Sequence, residues 1–122
     1  MRIFKTIYFN DWARELKLGD ESLTNAINEL EQGLHDANLG AGLYKKRVAI
    51  GGRGKRDGGR AIIAFKAHDK AIFLYGFAKA KRENISLEEK DTYKRLAKYY
   101  LNATEEQFNL LIKEGDLVEV ML

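Results

Sequence analysis

The chain has 122 residues, 45% of them hydrophobic, with a formal net charge of +3 and neither cysteine nor proline. That length suits a single domain over residues 1–122 that buries a modest core, and the composition is that of a folded chain. Without cysteine, a disulfide framework, a thiolate metal site and a thiol nucleophile are excluded, and with only His35 and His68 a His-rich metal site or a two-histidine ribonuclease mechanism is disfavoured.

Residues 2–9 (RIFKTIYF) mix aromatic and β-branched residues and read as a strand. Asn10 or Asp11 then caps a short helix, DWARELKL, that stops at Gly19, and Trp12 anchors it to the core. Asp20 caps a second helix through about Leu34, with Leu23, Ile27, Leu30 and Leu34 forming its apolar stripe. Residues 43–50 (LYKKRVAI), 60–67 (RAIIAFKA) and 71–78 (AIFLYGFA) are strands. The first pair is joined by the glycine-rich basic loop GGRGKRDGG and the second by the turn His68-Asp69-Lys70, which predicts an antiparallel meander. His68 reads as exposed and non-catalytic. Ser86 with Glu89 is a capping box opening a helix through about Leu101, whose stripe is Leu87, Tyr93, Leu96, Ala97 and Tyr100. Thr104 with Gln107 opens another, with Phe108, Leu111 and Ile112 inward and Gly115 as its stop. The tail LVEVML reads as a last strand. The order β-α-α-β-β-β-α-α-β predicts an α+β fold with helices packed on one face of the sheet.

The charge is unevenly spread. Residues 44–82 hold twelve Lys/Arg and two acids, a net of +10, while residues 1–43 and 83–122 sum to −3 and −4. A field so concentrated favours a polyanion such as nucleic-acid phosphate. Within it, GGRGKRDGGR is not a P-loop: Ala49 stands where the first glycine belongs and Arg56 follows Gly54-Lys55. Nor is it a dinucleotide fingerprint, since Asp57 replaces the last glycine and a strand follows. It reads as a hairpin loop whose Arg53, Lys55 and Arg56 grip phosphate, against the plainer reading of a solvated loop. Side-chain alternation puts Lys45 and Arg47 on one face of their strand and Lys46 with Val48 and Ile50 on the other. Arg60 shares a face with Ile62, Ala64 and Lys66, and Lys79, Lys81 and Arg82 follow the third strand. Cations from three neighbouring strand ends would meet around one phosphate; the alternative is a scattered solvated surface. Alternation places Ala71, Phe73, Tyr75 and Phe77 on one face, where Tyr75 is either a core residue or a phenol that stacks a base or orients a ribose hydroxyl.

The runs GGRGKRDGGRAIIAFK and IFLYGFAKAKRENIS resemble the RelE/HigB family of bacterial type II toxins, and the likeness extends to the two-helix N-terminal portion and the LNATEEQ region. The resemblance implies a compact RelE-like fold and a ribosome-dependent endoribonuclease that cuts mRNA in the ribosomal A site. It also implies a cognate antitoxin, often carrying a helix-turn-helix. The lack of cysteine fits a reducing cytoplasm, and no apolar run approaches the roughly 20 residues needed to cross a bilayer, so no membrane contact is expected. The family's basic residues before the hairpin match the Lys45–Arg47 region, its strand-opening arginine matches Arg60, and the basic residue after the next strand matches Lys79 or Lys81. Many relatives carry a tyrosine or histidine nearer the C-terminus as acid–base partner. Here no histidine stands there, and Tyr93, Tyr99 and Tyr100 fall in a predicted helix.

RNA cleavage without metal or cofactor uses the ribose 2′-OH as nucleophile. It needs a base for that proton, positive charge on the pentacoordinate phosphate and an acid for the leaving 5′ oxygen. Arg60 suits the phosphate, because a guanidinium is a permanently charged bidentate fork. A lysine crowded by other cations suits the base, and Lys46, Lys79 and Lys81 are candidates. Lys45, Arg47, Arg53, Lys55, Arg56 and Arg82 would hold RNA. Two other functions fit the same features: a ParE-like toxin that poisons DNA gyrase, and a nucleic-acid-binding module without catalysis.

Overall fold

The computed structural model describes residues 1–50 and 58–121. Four helices and six strands follow in the order β1 (Arg2–Thr6), α1 (Ile7–Glu15), α2 (Asp20–Glu31), β2 (Ala37–Gly40), β3 (Leu43–Val48), β4 (Gly59–Lys66), β5 (Lys70–Ala78), α3 (Leu87–Asn102), α4 (Glu105–Lys113) and β6 (Leu117–Glu119). The strands form one sheet in the order β2-β3-β4-β5-β1-β6. The fold is α+β, and β3-β4-β5 is the expected antiparallel meander. The sheet is not wholly antiparallel, because β1 lies parallel to β5 after a crossover through α1 and the elements beyond it. No helix among the described residues is long and apolar enough to cross a membrane.

The helices cover both faces of the sheet, not one. Ala61, Ile63 and Phe65 of β4 pack with Phe9 and Ala13 of α1 and with Leu23 and Ile27 of α2. The alternate residues Ile62 and Ala64 pack with Ala97 of α3 and Phe108 of α4. Every residue of β4 except Lys66 is buried. A strand covered on both sides carries no alternation of apolar and polar residues, so its sequence cannot tell one-sided from two-sided cover.

Thr6 explains the first departure from expectation. The strand ends there, and α1 begins at Ile7, because the Thr6 hydroxyl accepts the Phe9 N–H at 3.1 Å as an N-cap. That start lies upstream of Asn10 and Asp11 and turns Phe9 and Ala13 inward. The same hydroxyl donates to the Leu74 carbonyl at 3.1 Å in a buried setting. Other expectations shift at their edges. The second helix ends at Glu31, leaving Leu34 exposed beyond it, and Gly19 is its cap residue. In α3 the inward stripe is Ala97 with Tyr93, Tyr100 and Leu101 partly buried, while Leu87 and Leu96 are exposed. Both capping boxes, Ser86 with Glu89 and Thr104 with Gln107, form as read. The short strand β2 has no sequence signature, since ANLG holds no β-branched or aromatic residue and pairs only along β3.

Leu74 is the extra residue of a β-bulge. Ile62 pairs with Tyr75, but Ile63 pairs with Phe73, so the register slips by one between them. Ala71 and Phe73 therefore face α1 and α2, whereas Tyr75 and Phe77 face the α3 side. The expected single face for Ala71, Phe73, Tyr75 and Phe77 is corrected by this slip. Gly76 now faces α1, where the Trp12 indole lies so close that a Cβ at Gly76 would fall 2.3 Å from it.

Thr6→Val removes both the cap acceptor and the donor to Leu74 while keeping the shape. It should lower the unfolding free energy by about 2 kcal/mol, the upper end of the helix-cap range. Thr6→Ser keeps both bonds and should stay within about 0.5 kcal/mol of wild type. Denaturant unfolding of the two variants checks the difference.

Candidate nucleic-acid interface

The end of the sheet where β4 starts and β5 finishes gathers the basic residues. Arg47 stands directly opposite Arg60 across β3 and β4, and Arg60 stands opposite Phe77 across β4 and β5. Leu43 of β3 and Ile62 of β4 belong to the core on the α3 side, so the alternating positions Lys45, Arg47 and Arg60 share that side. A cavity of about 650 Å³ opens here, lined by Asp36, Lys45, Arg47, Arg60, Lys79, Glu83 and Asn84. Two arginines opposed on one sheet face repel each other. The cavity lining sets these two arginines, with Lys45 and Lys79, against two acids, Asp36 and Glu83, so cations are in excess there.

Local contacts shape the walls. The Asp36 carboxylate pairs with Arg47, 3.3 Å from its Nε, and the Asp36 backbone N–H donates to the Lys45 carbonyl at 3.0 Å. Arg60 is buried, with Nη1 donating to the Gly59 carbonyl at 3.1 Å. Lys45 Nζ reaches Asn84 Oδ1 at 3.5 Å, and that oxygen also accepts the Ile85 N–H at 2.9 Å. Lys79 is placed by its backbone N–H on the Gly58 carbonyl, at 3.1 Å.

The remaining predicted residues divide by position. Lys46 lies on the opposite face, buried, with its ammonium 3.0 Å from Glu29 of α2. The alternation of β3 foretold that face, and the structure does not bring Lys46 to the cavity. Lys81 is exposed and borders a separate recess with Trp12, Tyr75 and Arg82. Tyr75 is not among the residues that line the cavity. Its ring stacks on Tyr93 with centroids 5.6 Å apart, and its hydroxyl accepts from Arg82 Nη1 at 3.2 Å. Tyr75, Tyr93 and Tyr100 line a different, apolar groove of about 580 Å³. Burial pushes the Tyr93 and Tyr100 phenols up from their ordinary range. Arg53, Lys55 and Arg56 lie outside the described residues. His35 packs its ring at a tilt against Tyr44, and His68 sits in the β4–β5 turn at the far end of the sheet.

Arg82 braces the cavity wall. Its guanidinium forks onto both carboxylate oxygens of Glu89, lies over the Tyr75 ring, and donates from Nε to the Asn84 carbonyl at 2.9 Å. Glu89 is also the capping-box residue of α3, accepting the Ser86 N–H at 2.9 Å. The α3 entry, Arg82 and the loop bearing Glu83 and Asn84 are thus one hydrogen-bonded unit. Asp36, Glu83 and Asn84 were not singled out in the sequence. Asn84 stood inside the helix-entry motif, but only the folded turn shows its side chain beside Lys45.

The Arg82 fork, and then the Ser86 N–H, hold the Glu89 carboxyl down at about 2, from an ordinary 4.5. A depressed folded-state value adds stability above the ordinary range and loses it as pH falls toward the folded value. Wild type should therefore exceed Glu89→Gln in stability at pH 7. The gap should hold down to about pH 5 and close between 4.5 and about 2. Thermal unfolding of both proteins across that range measures it.

No matching relative is found among curated proteins. The family model described as the RelE toxin of the RelE/RelB toxin–antitoxin system matches residues 1–120, and this chain therefore belongs to the RelE toxin family, whose members are paired with a cognate antitoxin.

Proposed function

We propose that this toxin is a ribosome-dependent endoribonuclease that cuts mRNA and so arrests translation. The observation that carries the reading is the convergence of Lys45, Arg47, Arg60 and Lys79 on one cavity. The cavity is open at the sheet end, and it lies in the only strongly basic third of a chain whose flanks are acidic. Such a field steers the protein to a polyanion and orients it with the cavity forward.

Roles follow from geometry. Arg60 is the most buried of the four, and a guanidinium fork in a desolvated wall stabilises charge on a phosphate more strongly than the same group in water. Lys45 and Arg47 hold the strand on one side of it and Lys79 on the other. Arg82 and Tyr75 act one layer back, fixing the loop that closes the cavity. Lys46, tied to Glu29 across the sheet, supports α2 in this scheme and has no part in chemistry. The basic segment bearing Arg53, Lys55 and Arg56 supplies further backbone grip. The antitoxin, carrying a helix-turn-helix in this reading, would silence the toxin in the cytoplasm.

Arg60→Ala should cut the rate of mRNA cleavage on programmed ribosomes by about 100- to 1000-fold, the range for losing one fixed transition-state donor. Arg60→Lys, which keeps charge but loses the fork, should fall between. Unfolding curves run alongside separate lost chemistry from lost fold. A wild-type rate in Arg60→Ala would remove Arg60 from the mechanism. Cleavage by neither protein, with DNA damage on expression, would favour the gyrase-poisoning activity.

A further inference from the structure

Four cations can hold a phosphate, but in their charged forms they cannot begin its cleavage. The 2′-OH must give up a proton as it attacks, and the acceptor must have a free lone pair. A guanidinium has none, and neither has a lysine in its ammonium form. The two histidines are elsewhere: His35 packs its ring at a tilt against Tyr44, and His68 lies at the far end of the sheet. Tyr93 and Tyr100 open onto the apolar groove.

Three other side chains line the cavity. Asp36 is occupied by Arg47 at 3.3 Å. Asn84 is an amide already bound to Lys45 and to the Ile85 N–H, and it does not take up protons. Glu83 differs from both. It lines the cavity, it is exposed, and among the described residues its carboxylate makes no hydrogen bond or ion pair. Its neighbours on either side are fixed, Arg82 by Glu89 and Tyr75, and Asn84 by Lys45 and the Ile85 N–H. A negative group in an anion site weakens binding by repulsion. Its presence there makes sense for chemistry rather than for capture.

We propose that Glu83 is the general base of RNA cleavage, an inference that rests on reading this cavity as the ribonuclease site. A Glu83 oxygen takes the 2′-OH proton while the 2′ oxygen forms its bond to phosphorus. Arg60 and Arg47 carry the charge on the five-coordinate phosphate. The bond from phosphorus to the 5′ oxygen then breaks, and that oxygen receives a proton from the Lys79 ammonium. The products are a 2′,3′-cyclic phosphate on one fragment and a 5′-hydroxyl on the other. Glu83 and Lys79 return to their starting forms by exchange with water.

The test compares wild type, Glu83→Gln and Glu83→Asp in single-turnover cleavage of mRNA on programmed ribosomes. Affinity is measured separately on the same complexes carrying a 2′-deoxy nucleotide at the cut, which cannot react. Glu83→Gln should slow cleavage by about 100-fold or more while binding as tightly as wild type or more tightly. Glu83→Asp should recover part of the rate. A Glu83→Gln rate within a few-fold of wild type would overturn the assignment and leave the cavity as the cleavage site. Parallel loss of binding and rate would overturn it in favour of a structural role. Failure of wild type to cleave would overturn the ribonuclease reading, and the inference with it.

Discussion

One hydroxyl, that of Thr6, ties the start of the first helix to the irregularity on which the candidate site depends. It caps α1 and donates to the carbonyl of Leu74, the residue that slips the register of β5 against β4. Upstream of the slip, β5 sends Ala71 and Phe73 toward α1 and α2. Downstream it sends Tyr75 and Phe77 toward α3, and Lys79, which follows the strand, lines the basic cavity. In a regular strand, alternation from Phe73 would carry Lys79 to the other face, away from Arg60. Bulges commonly serve to re-aim side chains beside functional sites. Here the slip also turns Gly76 toward α1, where only a residue without a side chain fits beneath Trp12.

The second organising element is the entry to α3. Glu89 closes the capping box with Ser86 and receives the Arg82 fork, so helix initiation and cavity wall share one carboxylate. Tyr75 joins the same cluster from β5 through its hydroxyl and its ring. A candidate site built at strand ends needs such bracing, because functional side chains must be held to within a fraction of an ångström. The cations that touch the cavity come from β3, β4 and the residue just after β5, and most of the groups that steady it come from the helix entry.

Much of this was legible because it is local. Capping boxes, glycine stops and short connections are written in consecutive residues, and both boxes and the β3-β4-β5 meander formed as read. The alternation of LYKKRV separated Lys46 from Lys45 and Arg47 without any structure. Relations between segments were hidden. The bulge leaves no mark in IFLYGF, where apolar residues serve both faces, and the two-sided helix cover is invisible for the same reason. Thr6 sits inside a run of strand-forming residues, so its capping role emerges only when Phe9 turns inward. Glu83 looked like one acid among many in an acidic tail, and it gained meaning only beside Arg60 and Lys79.

The central claim is that the basic cavity cuts mRNA while it is being read. The most direct measurement is a map of mRNA 5′ ends across the transcriptome after a brief pulse of toxin expression. The account predicts new ends within translated regions, in phase with codons, that disappear when translation is blocked and in the Arg60→Ala variant. Intact mRNA under growth arrest, or ends that ignore the reading frame and persist without translation, would contradict it.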